Sequence, residues 1–204
     1  MGDEFPELRL RWIDVRPASA RSTRALRQRL RMLSDRFHGA QAITMRREPV
    51  PHAYRVFFRT IGLDPDATRT PIEAAALTRL IEGGFTSHNR LEDAMLLALV
   101  ETGVPLWALD AGALDGPLGI REARHGERLG TDQYANDLPP GRLVVADAAA
   151  PAAVLFGDVA PSHRPRRETE AVRIFCVQVP DVPEIHVQEA LWACAEAVAE
   201  PVSE

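Results

Sequence analysis

YRVFFRTIGLDP, residues 54–65, predicts a short helix followed by a tight turn. Its large apolar side chains recur at helical spacing, which places them on one buried face. These side chains are Tyr54, Phe57, Phe58 and Ile61. Gly62 suits the position just past a helix end, and Asp64-Pro65 is typical of a turn. We expect this helix to cover residues 53–60, with Pro49 and Pro51 interrupting the chain before it.

Two further helices are predicted downstream by their capping residues. Thr70 is placed to cap the first, with Pro71 in its first turn and Glu73 reaching back in a capping box. Asn89 opens the second in the same way, and this helix should run from residue 90 to 102. Gly83 and Gly103 then suit the two helix ends.

Upstream, residues 8–15 alternate apolar and polar side chains, which predicts a half-buried strand. A helix is predicted over residues 18–37, with Leu26, Leu30, Leu33 and Phe37 forming its buried stripe. Arg24, Arg27 and Arg31 form a second row on the outside of this helix. Such a row contacts phosphates in some proteins, although a solvated helix face is the more common use.

The second half of the chain changes to short strand-like segments separated by Gly, Pro and Asp. They cover residues 104–109, 118–123, 142–146, 153–156 and 171–179, with a polar excursion of the sheet over residues 126–140. A helix over residues 183–199 follows, buried through Val187, Leu191, Cys194 and Val198. The pattern predicts a single α+β domain over residues 1–204. Residues 1–50 would hold the first strand and the Arg-rich helix, residues 51–180 the core, and residues 181–204 the last helix.

Composition limits the class of protein. All 24 basic side chains are arginine. Residues 1–60 contain 13 arginines and 6 acids, a balance of +7, and residues 61–204 contain 11 arginines and 23 acids, a balance of −12. The acidic total of −5 argues against DNA binding. No apolar run is long enough to cross a bilayer and MGDEFPELRLRW lacks a signal pattern, so we expect a cytoplasmic protein without membrane association.

Cofactor and metal motifs are missing from the sequence. The histidines show no metal-ligand spacing, and no phosphate-binding glycine loop or nucleophile elbow is present. Cys176 and Cys194 form no redox or metal motif and are predicted to be small, reduced, buried side chains. We therefore expect neither a metal nor a cofactor.

Three passages together resemble the B3/B4 editing domain of the phenylalanyl-tRNA synthetase β subunit, in its free-standing form. The first is residues 54–65 with Arg69 and Glu73, which is similar to the family's aromatic helix and Gly-x-Asp-Pro turn. The second is residues 89–110, similar to an Asn-x-x-x-Asp helix that leads into a Gly-x-Pro-x-x-x-x-Asp strand. The third is residues 143–147, Ser162-His163-Arg164 and Glu170, which resemble a strand ending in Ala-Asp and a Ser-x-Arg loop.

The resemblance implies a β-sandwich of unusual topology flanked by helices. It also implies a pocket for the aminoacyl end of a tRNA, and hydrolysis of the ester of a mischarged tRNA. Two positions differ from the synthetase pattern: Trp107 stands where the family has a histidine, and Ser162 where it has a glutamate. Tyrosine specificity is therefore not carried over to this chain.

The candidate site residues come from these passages. His163 and Ser162 are candidates for assisting hydrolysis, His163 as a base and Ser162 by positioning water. The candidates for binding the substrate are Arg69, Asn89, Asp93, Trp107 and Arg164. We expect the pocket between the Asn89 helix start, the Trp107 strand and the loop over residues 162–164.

Each candidate also has a structural interpretation. Asn89 could serve only as a helix cap, and Arg69 with Asp93 as an internal ion pair. Trp107 could be a core residue, and His163 an exposed and inactive histidine. The functional hypotheses are accordingly a tRNA-binding deacylase acting in trans, and a non-catalytic module that binds an amino acid, a nucleotide-like ligand or a protein. A third is a dimerisation or scaffold domain that uses the helix carrying Arg24 and Arg31.

Overall fold

The computed structural model describes residues 7–37, 39–130 and 136–199, which form six α-helices and eight β-strands. The helices are α1 (Arg24–Arg36), α2 (Gly39–Thr44), α3 (Pro49–Thr60), α4 (Pro71–Glu82), α5 (Arg90–Thr102) and α6 (Glu184–Val198). The strands are β1 (Arg9–Val15), β2 (Trp107–Asp110), β3 (Gly119–Glu122), β4 (Arg128–Leu129), β5 (Asn136–Asp137), β6 (Leu143–Ala146), β7 (Pro151–Val154) and β8 (Val172–Gln178). The N-terminal MGDEFP, His38 and the middle of the predicted 126–140 excursion lie outside the described residues.

Two three-stranded antiparallel sheets form the β half. In the first, β8 lies between β1 and β2, and Phe175 pairs with Trp12 on one side and Trp107 on the other. In the second, β6 lies between β3 and β7. Val145 of β6 and Ile174 of β8 belong to the same buried cluster, so the two sheets share one apolar core. Helices α3, α5 and α6 pack against this core, and the fold is of the predicted α+β class.

The predicted caps of α4 and α5 are confirmed. Thr70 and Glu73 form the capping box of α4, with Pro71 in its first turn. The side-chain oxygen of Asn89 accepts a hydrogen bond from the backbone N–H of Glu92, 3.0 Å away, at the start of α5. Gly83 and Gly103 end the two helices with φ angles of 78° and 77°, a left-handed conformation that glycine adopts without steric cost.

The aromatic helix α3 begins earlier than the sequence predicted. It starts at Pro49 rather than at residue 53, and both prolines lie in its first turn. The first backbone N–H groups of a helix have no intrahelical acceptor, so the missing donor of each proline costs nothing there. The interpretation of Pro49 and Pro51 as a break before the helix was therefore wrong. Tyr54, Phe57 and Phe58 are buried, as the periodicity indicated.

Helix α1 begins later than predicted, at Arg24 instead of residue 18. Thr23 caps it, accepting a hydrogen bond of 3.1 Å from the backbone N–H of Leu26. The preceding segment is held by α5 instead: the Ala20 carbonyl accepts from the Arg90 N–H at 3.0 Å, and Ser22 Oγ donates to Asp93 at 2.5 Å. These contacts to a distant part of the chain keep residues 18–22 out of the helix.

The predicted strand over residues 8–15 forms β1, and all five strand segments predicted in the second half of the chain contain strands with shifted limits. The largest shift of a single limit is at the start of β2, which begins at Trp107 rather than at residue 104. Strand β7 covers Pro151–Val154 rather than residues 153–156. Phe156 lies in the turn that follows, with a φ of 57°. Its ring contacts those of Tyr54, Phe57, Phe58 and Trp107 at centroid distances of 5.2 to 5.9 Å. These contacts stabilise a backbone conformation that is unfavourable for a bulky side chain.

The last helix packs across the core. Its predicted stripe of Val187, Leu191, Cys194 and Val198 is buried. Cys176 on β8 and Cys194 on α6 are both free and buried, and burial raises the pKa of each thiol to about 12. The assignment of all 204 residues to one domain, with its three parts, stays a prediction.

Candidate functional site

A cleft of about 660 Å³ opens between the segment before α1, the start of α5, strand β2 and the loop that precedes β8. Asn89, Trp107 and Arg164 all line it. These residues come from three separate passages of the sequence, and the fold brings them to one surface. Their use in ligand binding stays a prediction.

Trp107 forms an aromatic wall of the cleft. Its indole Nε1 donates a 3.0 Å hydrogen bond to the carbonyl of Gly157. The ring stacks on Phe175 with a centroid distance of 5.9 Å and an interplanar angle of 26°. The hydrogen bond fixes the edge of the indole and the stacking on Phe175 fixes one face, and Trp107 also borders the cleft. A tryptophan fixed in this way offers a rigid platform for stacking a base or a side chain.

Asn89 lies where α5 begins. Its oxygen is used in the helix cap, so the NH₂ group is the part of the side chain that remains as a donor toward a ligand. Glu92, one turn later, also lines the cleft. Asn89 therefore combines the structural role that the sequence predicted with a place at the candidate site.

The loop before β8 supplies three exposed arginines to the cleft: Arg164, Arg166 and Arg167. We call residues 164–167 the arginine loop. Arg164 Nε donates to the carbonyl of Val159 at 3.2 Å, which orients the guanidinium along the cleft wall. Of these three arginines, the sequence indicated only Arg164 as a candidate for binding the substrate. The run Arg-Pro-Arg-Arg was the signal for the other two, because it concentrates three positive charges within four residues and so favours an anionic ligand.

Buried polar contacts anchor this loop at both ends. Before it, His163 is only 3% exposed, with Nδ1 3.0 Å from Ser162 Oγ and Nε2 3.5 Å from Asp147 Oδ2. After it, Thr169 donates to Asp110 at 2.7 Å and accepts from the Arg166 N–H at 2.9 Å. His163 is therefore buried rather than exposed, and both of its ring nitrogens have a partner.

Asp147 accepts hydrogen bonds from three backbone N–H groups, those of Asp115, Ala149 and Ala150, at 2.8 to 2.9 Å. Burial by itself would raise its pKa. The three N–H groups and the neighbouring His163 outweigh burial and hold the pKa of Asp147 below its usual value. The carboxylate beneath the loop is thus kept ionised at neutral pH.

Four of the seven candidates lie outside the cleft lining: Ser162 and His163, described above, and Asp93 and Arg69. Asp93 is buried and accepts from Ser22 Oγ and Ser87 Oγ, each at 2.5 Å, and from the His88 N–H at 2.9 Å. These donors take the place of the ion pair with Arg69 that the structural interpretation allowed. Arg69 is exposed beside the cap of α4. The assignment of Asp93 and Arg69 as substrate-binding residues stays a prediction, and their positions do not support it.

Part of the cleft had no signal in the sequence. Residues 17–20 form one wall, and they are Pro, Ala, Ser and Ala. Small residues of this kind carry no chemical pattern, and their place depends on contacts with α5.

Among the described residues no cluster of His, Cys, Asp or Glu is arranged to hold a metal ion. No described helix is long and apolar enough to cross a membrane.

Comparison with known proteins identifies the core of the fold. The model of the B3/4 domain matches residues 53–162, more than half of the chain. The chain belongs to the B3/4 domain family. The match begins within α3, contains α4 to β7 and ends at Ser162, so that α1, the arginine loop, β8 and α6 lie outside it.

The chain is also similar to phenylalanine–tRNA ligase beta subunits. It is 36% identical over 94 residues to that of Xanthomonas campestris, which is 46% of this chain and 12% of the relative. It is 35% identical over 114 residues to that of Streptomyces avermitilis, which is 55% of this chain and 13% of the relative. It is 35% identical over 85 residues to that of Chromobacterium violaceum, covering 41% and 11%. The chain thus corresponds to a small part of each ligase subunit.

Proposed function

We propose that the cleft binds the aminoacylated 3′ end of a tRNA and that the protein hydrolyses the ester of a mischarged tRNA in trans. The observation that carries the proposal is the meeting of Asn89, Trp107 and Arg164 in one cleft of a B3/4 domain. The relatives that are similar to this chain over 94 and 114 residues are named for phenylalanine and tRNA. The substrate class is inferred from that likeness together with the chemistry of the cleft.

The cleft residues suit the parts of such a ligand. Arg164 could bind a phosphate through two parallel hydrogen bonds. The wall of Trp107 suits the terminal base or the aminoacyl side chain, and the Asn89 amide could donate to the ester carbonyl. An aminoacyl ester is already activated, so hydrolysis needs a held substrate and a positioned water rather than a strong nucleophile.

His163 and Ser162 remain the candidates for assisting this hydrolysis. His163 would have to leave its contact with Asp147 to reach an ester in the cleft, because it is 3% exposed. This burial favours a second candidate function, in which the protein binds the same ligand without turnover. Trp107 and Ser162, standing where the synthetase pattern has a histidine and a glutamate, favour the same alternative.

Deacylation of a panel of mischarged tRNAs tests the first function. We expect hydrolysis of at least one ester above the rate in buffer, lowered on the order of tenfold by Arg164→Ala, because a charged hydrogen bond to the ligand is lost. His163→Ala should lower it as well if His163 assists the reaction. Arg124→Ala, which removes an exposed arginine outside the cleft lining, is the matched control.

Binding of a non-hydrolysable 3′-aminoacyl-amide analogue separates the two functions. Binding with no hydrolysis of any ester would leave the non-catalytic module and exclude the deacylase. Absence of both binding and hydrolysis would refute the proposal. We further propose the cytoplasm, where tRNAs are charged, as the location of the protein.

A further inference from the structure

The exposed arginines Arg24, Arg27 and Arg31, here called the arginine row, begin beside the cleft. Ala20 lines the cleft, and Arg24 follows four residues later as the first residue of α1. A chain of four residues spans at most about 14 Å, so the first arginine of the row lies near the cleft rim. Arg21, between them, is exposed too.

Helix α1 leads away from that rim along α5. The two helices are joined near their starts by the hydrogen bond from Ser22 to Asp93, and further along by an ion pair of 3.2 Å between Arg29 and Glu101. They therefore run side by side in the same direction. From Arg24 to Arg31 the helix rises about 10 Å. That length covers about three nucleotides of a stacked strand at about 3.4 Å each.

The charges of Arg24 and Arg31 do not stabilise α1 itself. The first turn of the helix has no acidic residue and begins with Arg24, whose charge is unfavourable beside the positive end of the helix dipole. Asp35, in the last turn, is the single acid of α1. Arg29, on the other flank, is the arginine that pairs with α5. Within the row, Arg27 donates a hydrogen bond to the carbonyl of Ser22, just before the helix. Arg24 and Arg31 are exposed on the same face and form a cationic surface beside it.

The distribution of charge along the chain favours an anionic partner at the surface of α1 that carries the arginine row. Residues 1–60 hold 13 arginines against 6 acids, whereas the remainder is acidic. Across the cleft, the arginine loop supplies three more guanidinium groups. A phosphate backbone that leaves the cleft would pass from one set of arginines to the other. Guanidinium groups suit such a backbone because they bind phosphate oxygens in pairs.

We propose that the arginine row binds phosphates of the RNA strand that enters the cleft, and so extends the tRNA-binding surface beyond the B3/4 match. This inference rests on the proposed function, from which it takes the identity of the partner. It assigns a role in recognition to the N-terminal helix, which lies outside residues 53–162.

The test compares two charge-matched double variants. Arg24→Gln/Arg31→Gln removes two members of the row, and Arg47→Gln/Arg59→Gln removes two exposed arginines outside the row and the cleft lining. Binding of intact tRNA is measured by fluorescence anisotropy from 50 to about 200 mM salt. Binding of a 3′-terminal trinucleotide carrying a non-hydrolysable aminoacyl amide is measured beside it, because this probe can occupy only the cleft.

For the row variant we expect weaker tRNA binding, and a slope of log K against log salt reduced by about 1.4 to 1.8, since two phosphate contacts are lost. Its affinity for the trinucleotide should be unchanged, and the control variant should behave as the wild type. Equal slopes for both variants would overturn the inference, as would row-dependent binding to phosphatidylglycerol vesicles in place of tRNA. A third outcome separates the two proposals. If the row variant shows the expected change of slope with intact tRNA but the wild type does not bind the trinucleotide, the cleft proposal fails while the row remains supported.

Discussion

Asp147 shows how a single residue can hold the candidate site in place. Its carboxylate lies beneath the arginine loop, with three backbone N–H donors and His163 around it. All of these favour the ionised form. Asp147 therefore positions the arginine loop, and its contribution to the free energy of unfolding should depend on the charge of its carboxylate.

We expect Asp147→Asn to lower the free energy of unfolding by about 2 kcal/mol at pH 7, because the amide NH₂ group faces a donor and leaves buried N–H groups without an acceptor. The pKa of Asp147 is lowered in the folded state, so its stabilisation is complete above the unfolded pKa of about 3.9 and is lost as pH falls below it. The difference between wild type and variant should therefore shrink in urea titrations below about pH 4.

Asp158→Asn provides the control, since Asp158 is an exposed carboxylate in the cleft lining. A surface substitution of this kind should change stability by less than about 0.5 kcal/mol. A difference between wild type and Asp147→Asn that stays constant from pH 7 to pH 3 would contradict the role given to the charge.

Among the elements, the junction of α3 and α4 is held by a buried ion pair. Arg55 of α3 donates to Glu73 of α4, and Glu73 also accepts from the backbone and side chain of the Thr70 cap. Arg55 is 8% and Glu73 6% exposed. Glu73 therefore does two things at once, because it closes the capping box and neutralises a buried arginine.

This double role predicts unequal costs for two neighbouring substitutions. Glu73→Ala should destabilise the fold by about 3 kcal/mol, since it leaves the guanidinium of Arg55 buried with less than its full set of partners. Thr70→Ala removes only the cap and should cost about 1 kcal/mol. Chemical denaturation followed by circular dichroism measures both. Equal losses would mean that the cap, and not the ion pair, is what stabilises the junction.

The elements also show which features sequence patterns can predict. The ends of α4 and α5 follow from residues within a turn of each end, and both were predicted correctly. The start of α1 depends on Asp93 and Arg90, some 70 positions away in the sequence, and was not. The turn after β7 likewise depends on aromatic contacts between Phe156 and α3.

The same distinction applies to the candidate site. Asn89, Trp107 and Arg164 stood out as residue types with a chemical use, and the fold places them on one cleft. Neither the wall formed by residues 17–20 nor the burial of His163 could be predicted, because both result from contacts between distant segments. Local chemistry was visible in the sequence, whereas accessibility was a property of the assembled fold.

At the scale of the whole molecule, the three tryptophans lie on two separate surfaces. Trp12 on β1 and Trp192 on α6 are 48% and 70% exposed and border a separate groove between these two elements. Trp107 borders the candidate cleft. The protein therefore contains a reporter of cleft occupancy, provided that the two exposed indoles are removed.

In the variant Trp12→Phe/Trp192→Phe, emission comes from Trp107 alone. We expect the 3′-aminoacyl trinucleotide to reduce acrylamide quenching of this emission, because a ligand in the cleft covers the accessible face of the indole. The complementary variant Trp107→Phe keeps the two distant tryptophans, and its emission should not respond to the ligand. A response in Trp107→Phe of the same size would place the ligand near the β1 and α6 groove, and the cleft would then no longer be the candidate site.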